Sequence, residues 1–170
     1  MDFQKICDQR FSVRSFDSTP VEDEKIQKIL EMVRKAPTAR NNQPYEIFYA
    51  KTPDAIQKLT PGRDNFFGAP LVFVICSVDE KRWFNHVTGR EFTSQDIGII
   101  ATTTMYAAAE VGLSSLYVCA FDPERTRQAL NLQGLTPECL MFVGYPSEDA
   151  KPSAMHANRR EISEFAHEIK

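Results

Sequence analysis

The sequence predicts one domain that combines helices and strands, of the α+β or α/β class. Three observations support this prediction. The chain has 170 residues, 42% of them hydrophobic, which is the usual size for a single domain with one core. Segments with helical spacing of apolar residues alternate along the chain with apolar runs of strand length. No repeat or low-complexity linker interrupts this alternation, so we expect one domain over residues 1–170.

In the first half of the chain, the patterns predict a helix, a strand, a helix and a strand in that order. Apolar residues recur with helical spacing over residues 18–36, after a serine, a threonine and a proline that suit a helix start. Residues 45–50 predict a strand, and residues 53–59 predict a short helix that begins at a proline. Residues 69–78 are almost continuously apolar, which is typical of a central strand buried on both faces.

The second half repeats the alternation around one long helix. Residues 96–113 predict that helix, which a glycine ends. Small residues dominate its middle, so we expect it to pack closely against the sheet or against a second subunit. Residues 114–121 predict a strand, residues 122–132 a helix with an aspartate cap, and residues 139–146 a last strand before a charged tail.

Composition and charge argue against several classes of protein. A net charge of -3 without any block of basic residues does not suit nucleic-acid binding. The amino terminus lacks the apolar segment of a signal peptide, and no apolar run approaches the ~20 residues of a membrane helix, so we expect a cytoplasmic protein that is not bound to a membrane. The cysteines form no CxxC pair and the histidines do not share one helix face, which argues against a disulfide scaffold and a metal site. We expect Cys76 and Cys139 to be core residues.

The amino-terminal segment offers a phosphate site made of side chains. The glycines never form a GxG motif, so neither a Rossmann fingerprint nor a P-loop is present. Arg10, Ser12 and Arg14 alternate, and alternate residues of an extended segment project from the same side. Two guanidinium groups and a hydroxyl in that arrangement can hold a phosphate. The alternative is that both arginines are solvated surface charges.

Five segments together resemble the FMN-dependent nitroreductase family, in particular its short single-domain members. In chain order they are RFSVRSF, APTARNNQPYEIF, VGLSSLYVCAFDPERTRQAL, FVGYPSE and NRREISEF. The similarity covers nearly the whole chain and is least between Ser77 and Gln95. The resemblance implies a nitroreductase-like α+β fold with a central mixed sheet flanked by helices. It also implies an intertwined homodimer with two FMN sites at the subunit interface, each built from both chains.

The resemblance implies one group of residues around the FMN phosphate. The basic residue near the end of the chain completes this group, and the arginine after it is a second candidate. The residues implied are Arg10, Phe11, Ser12, Arg14, Arg159 and Arg160.

A second implied group is a polar loop that the other subunit lays along the flavin. Its side chains would complement the polar edge of the isoalloxazine ring and the ribityl hydroxyls. The alternative is a loop whose side chains only cap neighbouring helices. The residues implied are Pro37, Thr38, Ala39, Asn41 and Gln43.

The third implied group lines the reactive edge of the flavin, where a backbone N–H would donate to the nitrogen that receives the hydride. It consists of Tyr117, Val118, Cys119 and Ala120. The Cys119 side chain is either structural or redox-active, and we favour the structural interpretation because its sequence neighbours supply no positive charge to activate a thiol.

This chain departs from the family pattern at several positions. Thr102 and Thr103 replace a frequent Gln-Asn pair in the long helix, and Ala157 stands where a lysine is common. In the divergent segment, aromatic residues predict either a lid over the flavin or ordinary core packing. They are Trp83, Phe84 and Phe92.

The resemblance implies an FMN enzyme that takes hydride from NADH or NADPH and passes it to a planar, electron-poor acceptor such as a nitroaromatic or a quinone. Ping-pong catalysis of this kind needs neither a catalytic acid or base from the protein nor a metal. Two alternatives remain open. One is a flavin-binding or redox-responsive protein without turnover, and the other is an interaction domain that has lost its ligand.

Overall fold

Helices and strands alternate along the chain as the apolar patterns predict. The structure is a computed structural model that describes residues 2–62 and 66–169. Its α-helices are α1 Phe3–Gln9, α2 Asp23–Val33, α3 Pro53–Leu59, α4 Thr93–Glu110 and α5 Pro123–Ala129. Its strands are β1 Tyr45–Ala50, β2 Leu71–Val78, β3 Ser114–Val118 and β4 Leu135–Gly144. Short 3-10 helices are Ala39–Asn41, Asp79–Lys81 and Ile162–Glu164.

The strands form one sheet in the order β1-β2-β4-β3. All three pairings are antiparallel, so the mixed sheet implied by the resemblance is wrong for the named strands of the described residues. The reason is topological: each of the connections through α3 and α5 begins and finishes at the same end of the sheet, which reverses the next strand. Parallel pairing is limited to an isolated bridge between Ser12 and Ser115. The α+β class itself is confirmed.

Strand β2 lies inside the sheet and is buried along nearly its whole length, as predicted. One set of alternate residues packs with α2 and α4, and the other set packs with the layer that contains α3. Burial raises the pKa of the Cys76 thiol on β2 and of the Cys139 thiol on β4, each to about 12. Both cysteines are therefore core residues, as the sequence predicts.

Helix α4 packs against the sheet and α2 through one face and leaves the other face open. It begins at Thr93, three residues before the predicted start, and ends before Gly112, whose φ of 78° suits the residue after a helix. Eight of its residues are buried. An exposed stripe runs along the opposite side, and Ile99 within it is 39% exposed. We call Gln95, Gly98, Ile99 and Thr102 the open face of α4.

Some of the differences from the predicted elements have clear local reasons. Helix α1 was not predicted, because only Ile6 in it is buried and seven residues show little periodicity. Helix α5 ends at Ala129 because Asn131 adopts a left-handed φ of 50°. Strand β4 begins four residues early and runs through Pro137, which is tolerated at the register shift opposite Ile75 and Cys76.

Candidate functional site

One pocket gathers the residues predicted to grip a phosphate. It has a volume of about 170 Å³ and combines the amino-terminal segment with the carboxy-terminal tail. We call it the arginine pocket. Its lining residues are Arg10, Phe11, Ser12, Arg14, Ser153, Met155, His156 and Arg159.

The amino-terminal side of the arginine pocket is fixed by the sheet. Ser12 forms the parallel bridge with Ser115 at the start of β3, and the Val13 amide donates to the Ser115 carbonyl at 3.2 Å. Val13 is fully buried. Because alternate residues of this extended segment face opposite ways, burial of Val13 turns Ser12 and Arg14 outward.

The arginines of the pocket have no carboxylate partner among the described residues. The arginines that form ion pairs in the described part of the chain are Arg34, Arg82, Arg125 and Arg127. The Arg14 and Arg159 side chains donate to backbone carbonyls, at 3.4 Å and 2.9 Å. Three guanidinium groups therefore share a small pocket without a counter-charge, which is the electrostatic condition for binding an anion.

Arg160 and Phe11 contribute in different ways. Phe11 lines the pocket with its ring edge-on to His156, at 6.3 Å between centroids. Arg160 does not line it: its guanidinium lies over the Phe165 ring at 5.5 Å. His156 and Ser153 were not predicted, since neither lies in a segment to which the resemblance assigns a role.

The end of β3 presents an exposed edge next to the same segment. Tyr117 is 41% exposed, and Cys119 and Ala120 are exposed as well, whereas the Val118 side chain is buried and can reach a ligand only through its backbone. A hydrogen bond between the Tyr117 and Cys119 side chains, followed by burial, raises the pKa of Tyr117. Cys119 lies four residues past Ser115, or about 13 Å along the strand direction. One elongated ligand can therefore lie between the arginine pocket and this edge.

The loop 37–43 has a strained and well-anchored backbone. Arg40, Asn41 and Gln43 all have positive φ angles, of 54°, 56° and 49°. Such angles are unfavourable for residues other than glycine. Within the loop, the Gln43 amide donates to the Thr38 hydroxyl at 3.0 Å, and the Asn42 side chain donates outward to the Lys81 carbonyl at 3.4 Å.

A buried carboxylate at the start of α4 holds this loop. The Ala39 amide donates to Oδ1 of Asp96 at 2.9 Å. Asp96 is only 4% exposed, and its Oδ2 atom is buried without a hydrogen-bond partner among the described residues. Burying a carboxylate costs free energy unless its oxygens are bonded, so this arrangement points to a specific role for the residue. No pattern in the sequence predicted this role, since an acidic residue in a helical pattern is ordinarily placed on the exposed face.

The loop and the arginine pocket lie at opposite ends of α4. Asp96 anchors the loop near the first turn, whereas Arg10 shares a cavity with Ala109 and Gly112 at the last turn. Asp96 and Ala109 are 13 residues apart in α4, or about 20 Å at the helical rise. The structure therefore does not bring the two predicted groups together within one chain.

The aromatic residues of the divergent segment divide between packing and exposure. The Trp83 and Phe92 rings pack at 5.6 Å between centroids, and the Trp83 amide donates to the Thr93 hydroxyl. Phe84 is 55% exposed. Only Phe84 is thus free to contact a ligand with most of its ring.

In the long helix, Thr103 donates its hydroxyl to the Ile99 carbonyl instead of pointing outward.

Two features are absent from residues 2–62 and 66–169. No group of histidine, cysteine and acidic side chains there has the arrangement of a metal site. No helix there is long and apolar enough to span a membrane.

Comparisons with known proteins match this architecture. The sequence model of the Nitroreductase family matches residues 7–62 and 57–145. A crystal structure of a nitroreductase family protein from Clostridium difficile is 31% identical, covers 98% of both chains and superposes with a TM-score of 0.89. A Thermus thermophilus protein named NADH dehydrogenase is 25% identical over 90% of this chain and 91% of its own. An FMN-dependent nitroreductase of Clostridium difficile shares the fold with a TM-score of 0.71 at 23% identity, over 91% of this chain and 96% of its own.

Proposed function

Because this chain belongs to the nitroreductase family, we propose that it is an FMN-dependent NAD(P)H oxidoreductase. Its acceptors are planar, electron-poor molecules such as nitroaromatics or quinones. The observation that most supports this proposal is the arginine pocket, where Arg10, Arg14 and Arg159 meet without a carboxylate among the described residues. A phosphate is the part of FMN that such a pocket selects.

The residues of one chain offer groups for two parts of FMN, the phosphate and the ring. The arginine pocket would hold the phosphate, with the Ser12 hydroxyl as an additional donor. The exposed edge at Cys119 and Ala120 lies about 13 Å further along the strand direction and would face the ring. Backbone groups can donate there whatever the side chain is. When bound, FMN supplies the two-electron chemistry, and the protein orients it and stabilises the charge that develops.

The position of the loop 37–43 supports a homodimer with shared sites. Polar side chains of this loop suit the ring and ribityl group, yet the loop is anchored about 20 Å along α4 from the arginine pocket of its own chain. A second copy is therefore needed to bring a loop to each pocket. The open face of α4, in which Ile99 is 39% exposed, is the surface that we assign to this contact.

One site would serve donor and acceptor in turn. We assign no general acid or base at the described edge, and none is needed if reduced nicotinamide and the acceptor each stack on the same ring. Release of the oxidised nicotinamide before the acceptor binds would give ping-pong kinetics.

Anaerobic reduction of the FMN-loaded protein tests this function. We expect NADH or NADPH to bleach the flavin absorbance, and a nitroaromatic or quinone to restore it in a separate mixing step. Bound FMN that neither nucleotide reduces would instead support a flavin-binding protein without turnover. Purified protein that takes up no FMN would refute the proposal.

The dimer has a separate test. Light scattering should give twice the chain mass, and the interface should bury well above ~2,000 Å², the scale of obligate dimers. A stable monomer that retains FMN would contradict the shared site while leaving the oxidoreductase activity open to its own test.

A further inference from the structure

We propose that His156 is a fourth cationic group of the arginine pocket, which takes up a proton as a phosphate enters, so that FMN is held more tightly as the pH falls. This inference rests on the proposed function, because the ligand is the phosphate of FMN.

The position of His156 is set by its own turn and by Phe11. The His156 amide donates to the Ser153 carbonyl at 2.9 Å, which closes a turn at the rim of the pocket. The imidazole packs edge-on to the Phe11 ring at 6.3 Å between centroids, and it lines the pocket while remaining partly accessible. The ring is therefore held beside the guanidinium groups instead of projecting freely into solvent.

The charges around His156 determine the sign of the effect. Arg10 and Arg14 face the pocket from the amino-terminal segment, and Arg159 faces it from the tail, whereas no acidic side chain of the described residues lines it. A phosphate dianion in the pocket favours the protonated form of an imidazole beside it, so binding and proton uptake are coupled.

The charge that His156 can add differs in kind from the permanent charges of the three arginines. Ala157, the residue after it, adds no charge. An imidazole is the side chain whose charge ordinarily changes between about pH 5 and 8, so the fourth charge here depends on pH where a lysine would not.

Titration of apoprotein with FMN at about pH 6 and pH 8 tests the proposal, with flavin fluorescence as the readout. The matched variants are His156→Gln, which is neutral, and His156→Arg, which is always charged. We expect the ratio of the two affinities in the wild type to exceed that in His156→Gln by about tenfold, the scale of one charge-assisted hydrogen bond. His156→Arg should bind tightly at both pH values.

Protonation of the FMN phosphate itself near pH 6 acts in the opposite direction, but it is common to all variants and cancels in the comparison. Riboflavin, which lacks the phosphate, should show no difference between the wild type and His156→Gln. Calorimetry of the wild type in two buffers of different ionisation enthalpy should show net proton uptake at about pH 7.5, where free FMN is mostly dianionic.

The outcomes separate this inference from the proposed function. Tight FMN binding with the same pH dependence in the wild type and in His156→Gln, or without proton uptake in the wild type, would overturn the role of His156 alone. Failure of the wild type to bind FMN at either pH would overturn both.

Discussion

Replacement of Asp96 should weaken FMN binding at the proposed site while lowering the free energy of unfolding only slightly. The Ala39 amide donates to Asp96 across 57 residues of sequence. A hydrogen bond to a charged group contributes about 1.5–3 kcal/mol. In Asp96→Ala this anchor is lost, whereas Asp96→Asn retains a side-chain oxygen that can accept from Ala39.

The strain of the loop 37–43 determines the magnitude. Arg40 and Gln43, with positive φ, cost about 1–2 kcal/mol each, whereas asparagine tolerates this region and Asn41 costs less, so the strain is at least about 2 kcal/mol. Relief of this backbone strain therefore offsets much of the free energy that the lost hydrogen bond from Ala39 contributed. We expect the free energy of unfolding of apo Asp96→Ala to fall by less than about 2 kcal/mol. FMN would have to rebuild the strained loop without the anchor, so its affinity should fall by about 10- to 150-fold.

Hydrogen exchange and FMN titration measure the two sides of this expectation. The Ala39 amide should exchange faster in Asp96→Ala, while Asp96→Asn should retain protection and bind FMN within about threefold of the wild type. Rescue by the amide distinguishes a positioning role from a requirement for negative charge. Unchanged exchange at Ala39 together with unchanged FMN affinity in Asp96→Ala would refute the reasoning.

Three further predictions concern the pocket and the thiols. Arg10→Ala or Arg159→Ala should weaken FMN binding by about 1.5–3 kcal/mol, measured by equilibrium dialysis, and a double variant that purifies fully loaded would exclude the phosphate site. Cys119→Ala and Cys119→Ser should keep nearly the full rate of flavin reduction in stopped flow; a loss of about 100-fold in both, with FMN bound, would assign chemistry to the thiol. With pKa values near 12, Cys76 and Cys139 should be about one part in ten thousand thiolate at about pH 8, so iodoacetamide followed by mass spectrometry should label Cys119 first and these two only after unfolding.

The sequence predicted best those elements whose periodicity and boundary residues agree. Residues 45–50 and 53–59 became β1 and α3 with unchanged bounds, because a clear strand pattern is followed by a threonine and a proline that suit a helix start. The start of β4 was missed because Pro137 normally ends a strand, and it is tolerated here because the next residue, Glu138, is the extra residue of a β-bulge in β4. Helix α1 was missed because a single buried residue gives no period.

The candidate site was predictable only where a motif lies within one segment. Arg10, Ser12 and Arg14 alternate in the sequence and meet in one pocket in the structure. His156 reaches the same pocket through a turn in the tail that has no apolar pattern, and Asp96 depends on a loop far away in sequence. Such contacts arise from tertiary packing, so no local rule could assign them.

The composition of the arginine pocket also fixes the order of events during synthesis. Its two sides are separated by all four strands, so the ribosome releases residues 153–159 only after every strand of the sheet has emerged. At about 5–20 residues per second, the sheet has about a second to form before the second side of the pocket exists. FMN bound in this pocket would therefore act on chains whose sheet has already emerged. It would slow unfolding of the finished protein without changing how fast the core forms.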